Sequence, residues 1–191
     1  MVAIRRVDDG EVGHARTLHN RFTDQEQSPD TIRSWYAAVP WLFLFAVEDD
    51  AVLGGCTGRP RGPRAVSLAG IGVEPDRRGD GIGTRLLEQF EANATTHGID
   101  RISVASAGGR VDGFYRDNGY SPVKILVMNP GGGPSTYADT GFDLTWDRND
   151  DGSRKCYVDV ADHAAATLAR VREVFDNEHA IYIMEKDLAD R

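Results

Sequence analysis

The residues best suited to chemistry lie in one run, Ile71-Gly72-Val73-Glu74-Pro75-Asp76-Arg77-Arg78-Gly79-Asp80-Gly81-Ile82-Gly83-Thr84. Gly79, Gly81 and Gly83 let main-chain amides approach an anion closely. Amides at a helix start add about half a positive charge. Arg78, with Arg77 beside it, supplies a full charge and a forked donor at the rim. Converging donors of this kind suit a pyrophosphate. A plain strand-to-helix turn would use glycines too, but the order Arg-x-x-Gly-x-Gly at Arg78, Gly81 and Gly83 sits between a Val-x-Pro element and a strongly periodic helix. A dinucleotide turn fits less well: Leu86 stands where its third glycine belongs, and Glu74 to Arg78 intervene after the strand.

Positioning that loop requires an apolar strand before it and an amphipathic helix after it. Ala65 to Val73 provides the strand, and Leu86, Leu87, Phe90 and Ala94 mark one face of a helix that Gly98 ends. Upstream, Ile4 to Val7 reads as a strand, and Val12, Ala15, Leu18, His19 and Phe22 share a helical face. Ser28 and Pro29 open a second helix that Pro40 closes. Trp41 to Val47 and Ala51 to Thr57 form a hairpin across Glu48-Asp49-Asp50. Arg59 to Arg64 is expected to be a loop, because Pro60 cannot donate to a central ladder.

Downstream, Arg101 to Ala105 and Tyr120 to Met128 are expected strands, with a short helix from Gly109 to Asn118 closed by Gly119. Tyr137 to Gly152 is expected to be loop-rich; Lys155 to Val160 then reads as a strand, Asp162 to Asn177 as a helix and Ala180 to Met184 as a last strand. At 191 residues, with no internal repeat, the chain is read as a single domain spanning 1–191.

Formal charge is −8, which argues against nucleic-acid or anionic-membrane partners. No apolar run reaches membrane-spanning length, and the charged start, with Arg5, Arg6, Asp8 and Asp9, is no signal peptide, so a cytoplasmic location is expected. Cys56 and Cys156 read as reduced structural thiols. Asp147 to Gly152 matches half a calcium loop, but Val158 replaces the bidentate glutamate, and the five histidines are scattered, so no metal is expected. Arg59, Arg61 and Arg64 read as a solvated tip.

The glycine loop, together with Phe114-Tyr115-Arg116-Asp117-Asn118-Gly119-Tyr120, resembles the GNAT acetyltransferase superfamily, whose last core helix carries a Phe-Tyr-x-x-x-Gly-Phe/Tyr signature. The resemblance covers Ile4 to Met128, and Ile181 to Leu188 looks like the family's final strand. It implies an α/β, GNAT-like fold, a mixed twisted sheet flanked by helices, with 129–177 inserted before the last strand.

It also implies transfer of an acetyl group from acetyl-CoA to a primary amine by direct attack in a ternary complex, releasing coenzyme A. The cofactor would lie along Ile71, Gly72 and Val73 and on Arg78, Gly79, Asp80, Gly81, Ile82, Gly83 and Thr84, in a cleft between splayed strands. A backbone N–H near Val73 would hold the oxyanion, and Tyr115 would protonate the departing thiolate. Ser67 stands where many relatives have a glutamate base, and Gly108 where many have a cofactor-contacting asparagine. Those departures leave a non-catalytic acyl-CoA-binding sensor as the alternative. The acceptor is a small-molecule or protein amine, and a homodimer is compatible. The acidic insertion is expected to lid the acceptor side and favour cationic amines.

Overall fold

The structure is a computed structural model that describes residues 1–23, 26–106, 110–148, 152–160 and 164–189. Gly108 and Gly109, the calcium-like Asn149, Asp150 and Asp151, and Asp162 and His163 lie outside the described residues. The chain divides into two compact units, 1–103 with 187–191, and 104–186. Among the described residues there are nine strands and five α-helices in a mixed α/β arrangement.

In the first unit β1 (Ala3–Arg6), β2 (Leu44–Glu48), β3 (Ala51–Gly62) and β4 (Ala65–Val73) are neighbours in that order, each pair antiparallel. Asp49 and Asp50, both at positive φ, make the tight turn between β2 and β3. β3 runs on through Pro60 to Gly62, where a loop was expected. β2 pairs β3 only as far as Cys56, so beyond that residue β3 has one partner and its other edge needs no donor from proline. A register shift between Pro60 and Gly62 absorbs the remaining irregularity.

Helix α1 (Val12–Thr23) packs on β3 and β4. The following α2 (Pro29–Ala38) starts where the sequence indicated: Ser28 Oγ accepts from the Thr31 amide at 3.1 Å, a cap of about 1 kcal/mol. Its end at Ala38 leads into a 3-10 turn, Pro40–Leu42, which takes up Trp41 and Leu42 of the expected strand, so that β2 begins only at Leu44. Helix α3 (Ile82–Thr96) buries Ile82, Leu86, Leu87, Phe90 and Ala94, each large member of that stripe contributing about 1.5–3 kcal/mol of burial. After α3 the chain enters β5 (Arg101–Ser106), whose opening residues neighbour β4; a strand–helix–strand crossover of this kind makes the two parallel.

The second unit continues β5 and carries α4 (Arg110–Asp117), β6 (Ser121–Met128), β7 (Leu144–Arg148), β8 (Arg154–Asp159), α5 (Ala165–Phe175) and β9 (Ile181–Asp187). Its strand order is β5-β9-β6-β8-β7, with antiparallel pairing from β9 onward. The segment expected to be loop-rich thus contains a strand. β7 alternates weakly, but β8 offers it a free edge, with Trp146 opposite Cys156, and Tyr137 stacks between Trp146 and Phe175. The segment 129–177 builds this hairpin and α5, and the hairpin lies on the edge of β6 away from β9.

Candidate active site

The loop between β4 and α3 is braced from both ends. Pro75–Arg77 forms a 3-10 turn, and Arg77 is held by two carboxylates, Asp80 at 3.1 Å and Glu48 at 2.9 Å. Arg77 therefore serves the loop's own architecture instead of an incoming anion. Arg78 is exposed, and its Nε donates to the Val73 carbonyl at 3.1 Å, anchoring the guanidinium at the strand end. Gly79 and Gly81 have φ of +94° and +75°, a left-handed conformation costing an L-residue about 1–2 kcal/mol.

Gly81 is the N-cap of α3 and has no side chain to occupy the first amides; no acidic residue lies in the first turn. The first intrahelical bond runs from the Arg85 amide to the Gly81 carbonyl, so the amides of Ile82, Gly83 and Thr84 have no acceptor within the helix. Ile82, 2% exposed, pins the helix start to the core, while Gly79, Asp80 and Gly81 face solvent. Arg78, Gly79, Asp80, Gly81, Ile82, Gly83 and Thr84 thus lie together at the turn from β4 into α3, around amides that the helix itself leaves without acceptors.

On β4 the hydrogen bonds alternate between edges. The Glu74 amide donates to the Leu53 carbonyl at 2.8 Å, so the Gly72 amide also faces β3, while those of Ile71 and Val73 face the other edge. Gly72 and Gly70 have a packing reason for lacking a side chain: a Cβ at Gly72 would lie 2.1 Å from Phe22, and one at Gly70 2.7 Å from His19 Nδ1. Ser67, 4% exposed, donates to the Ser103 carbonyl at 3.1 Å and accepts from the Ser103 hydroxyl at 3.2 Å. Glu74 is ion-paired with Arg21.

Tyr115 stands in the second unit on α4, 4% exposed, between Phe114 and Tyr120 with ring centroids at 5.3 and 5.7 Å. Gly119, at φ +85°, closes the helix, and the Tyr120 amide returns to the Tyr115 carbonyl at 3.0 Å. Lys186 Nζ donates to the Asn118 carbonyl at 2.7 Å and lies over the Tyr120 ring, placing a cation at the helix C-terminus. This support of Tyr115 from β9 has no local sequence signal.

The model of the acetyltransferase (GNAT) family matches residues 12–120 of the 191-residue chain. The chain belongs to this family. The GNAT fold is also seen in Arabidopsis thaliana Naa50 in complex with the bisubstrate analogue CoA-Ac-MVNAL, 16% identical, TM-score 0.63, covering 98% of this chain and 99% of that one. The Escherichia coli ribosomal-protein-S18-alanine N-acetyltransferase is similar at 16% identity and TM-score 0.58, over 88% and 99% of the two chains. Salmonella typhimurium yncA, a putative acetyltransferase solved with acetyl-CoA, is similar at 17% identity and TM-score 0.53, over 86% and 97%. No curated protein sequence matches the chain.

The sequence placed His19 on the apolar face of the first helix but gave it no partner. Its imidazole is 4% exposed, with Nδ1 2.7 Å from Thr57 Oγ1 and the ring edge-on to Trp35. Burial, with a smaller contribution from the Arg59 charge, pushes its pKa down to about 4 from the ordinary 6.5. The unfolded chain therefore binds more protons between about pH 6.5 and 4, and stability falls as pH drops through that window. Above it the ring is neutral in both states. The loss from this group reaches roughly 3 kcal/mol by pH 4. Urea midpoints of the wild type and His19→Phe, compared from pH 7 to pH 4, should show a steeper decline for the wild type; parallel declines would contradict the assignment.

Both cysteines are free and buried; burial raises the Cys156 thiol to about 11 and the Cys56 thiol further still, so neither supplies a thiolate at neutral pH. Asp147 pairs with Lys155 at 3.2 Å and accepts from the Arg148 amide, and no group of metal-ligating side chains occurs among the described residues. No helix among them is long and apolar enough to cross a membrane.

Proposed function

We propose that this GNAT enzyme transfers an acetyl group from acetyl-CoA to a primary amine by direct attack, with no acyl-enzyme. The observation that carries the reading is the start of α3: a glycine cap, amides without intrahelical acceptors, and the exposed Arg78 guanidinium anchored at the end of β4 beside them. These groups suit the pyrophosphate of coenzyme A. The bisubstrate complex of Naa50 and the acetyl-CoA complex of yncA, both sharing the fold, support that cosubstrate.

In this reading Ile71, Gly72 and Val73 flank the pantetheine arm. The Val73 amide, facing away from β3, donates to the carbonyl oxygen as the amine attacks. The C–N bond forms, the C–S bond breaks, and Tyr115 gives its hydroxyl proton to the sulfur. The amine's proton leaves to solvent, which returns a proton to the Tyr115 phenolate and closes the cycle; Ser67 is engaged with Ser103 and takes no part. Peptide and ribosomal-protein amines appear among the structural neighbours' substrates and support an amine acceptor here. The acidic segment 129–177 would steer cationic acceptors towards the enzyme.

Thiol release from acetyl-CoA across a panel of small amines and peptide N-termini tests the reading, with mass spectrometry of the amine product. An acetylated amine formed in step with free thiol is expected; coenzyme A binding without thiol release for any amine would overturn it.

A further inference from the structure

In the second unit β5 ends at Ser106, which is fully buried, and its Oγ donates to Asp112 Oδ1 six residues on, in the first turn of α4. Asp112 is itself 5% exposed. A carboxyl group in a first helical turn complements the helix dipole equally well in water, where it avoids the cost of desolvation. Helix stability therefore does not account for turning Asp112 inward. The contact it makes there ties the start of α4 to the end of β5.

Asp112 and Tyr115 are three residues apart on α4, so they share one side of the helix, and both are buried. The far end of α4 is fastened separately, by the turn at Gly119 and by Lys186 Nζ on the Asn118 carbonyl. With eight residues α4 makes little more than two turns, too few to hold its own orientation without such ties. A tyrosine hydroxyl stands well outside the main-chain radius, so turning the helix by about 10° displaces it by on the order of 1 Å. Catalytic groups need placement to about 0.5 Å.

Resting on the acetyl-transfer reading above, we propose that Ser106 and Asp112 are positioning residues for that reaction. Their hydrogen bond sets the rotation of α4 and so holds the Tyr115 hydroxyl where its proton can pass to the sulfur as the C–S bond breaks.

A double-mutant cycle tests this, using the full chain, acetyl-CoA and the amine acetylated fastest in the panel above. Ser106→Ala should lower kcat about tenfold with KM for acetyl-CoA unchanged, and Ser106→Thr, which keeps the hydroxyl, should restore most of the rate. In Tyr115→Phe, which has no phenolic proton to place, adding Ser106→Ala should lower kcat by less than about twofold. A loss as large in that background as in the wild type would reveal a general effect on the fold and overturn the proposal, as would a raised KM with kcat retained. The ring signals of Tyr115 in nuclear magnetic resonance should move in Ser106→Ala and return in Ser106→Thr; signals that stay in place would overturn the positioning role and leave the transfer reading intact. No thiol release by the wild type with any amine would instead overturn the transfer reading, and the role of the pair with it. If Ser106→Ala does not fold, Ser106→Cys, similar in size but a weak donor, enters the same cycle and is read in the same way.

Discussion

Replacing Tyr115 with phenylalanine is expected to lower kcat by about 10²- to 10⁴-fold, or about 3–5 kcal/mol of barrier, with little change in KM for acetyl-CoA. The substitution removes one oxygen and keeps the ring, so the contacts with Phe114 and Tyr120 and the Gly119 helix end persist. In the proposed mechanism, what is lost is the proton for the sulfur as the C–S bond breaks. Without it the leaving group departs as a bare thiolate, and the tetrahedral species returns to amine and thioester more often. Steady-state rates from pH 6 to 10, alongside circular dichroism of the variant, measure this. Full turnover in Tyr115→Phe across that range would remove Tyr115 from the mechanism.

The paired change Arg78→Ala with Gly81→Val is expected to weaken coenzyme A binding by at least about 100-fold. A charge-assisted hydrogen bond contributes about 1.5–3 kcal/mol. A β-branched residue at φ +75° adds about 1–2 kcal/mol of strain, relieved by tilting the first amides of α3 away from their common focus. The change at Gly81 acts through the backbone, since a Cβ there meets nothing within 4 Å. Calorimetry with coenzyme A and with S-acetylpantetheine, which lacks the pyrophosphate, separates a phosphate-site defect from a damaged fold: only the first ligand should lose affinity. Equal losses for both, or none, would show that the loop does not hold the pyrophosphate.

The sequence was most informative where the determinants are local. β4 spans Ala65–Val73 as its apolar run indicated, Ser28 and Pro29 open α2, and the Gly81-Ile82 step opens α3 beneath a stripe repeating at 3.6 residues per turn. Caps, periodicity and positive-φ glycines act over a few residues, so a linear reading captures them. The family likewise follows from two short signatures, and the family match to residues 12–120 covers both.

Other features depended on partners distant in the chain. β7 exists because β8 presents an edge to a weakly alternating segment, and β3 passes through Pro60 because β2 has already ended. Arg77 resembles its neighbour Arg78 in sequence, yet only the fold gives it Glu48 and leaves Arg78 at the rim. Gly70 and Gly72 have a packing reason for lacking a side chain that only α1 reveals, by setting His19 and Phe22 against them. His19 meets Thr57 across 38 residues, which buries a histidine that would otherwise titrate near neutrality. Short-range propensity thus determined most elements and the glycine-rich turn before α3. Tertiary packing decided which similar residues brace the fold, which stay exposed and which change their chemistry, because burial and charge pairing depend on neighbours in space.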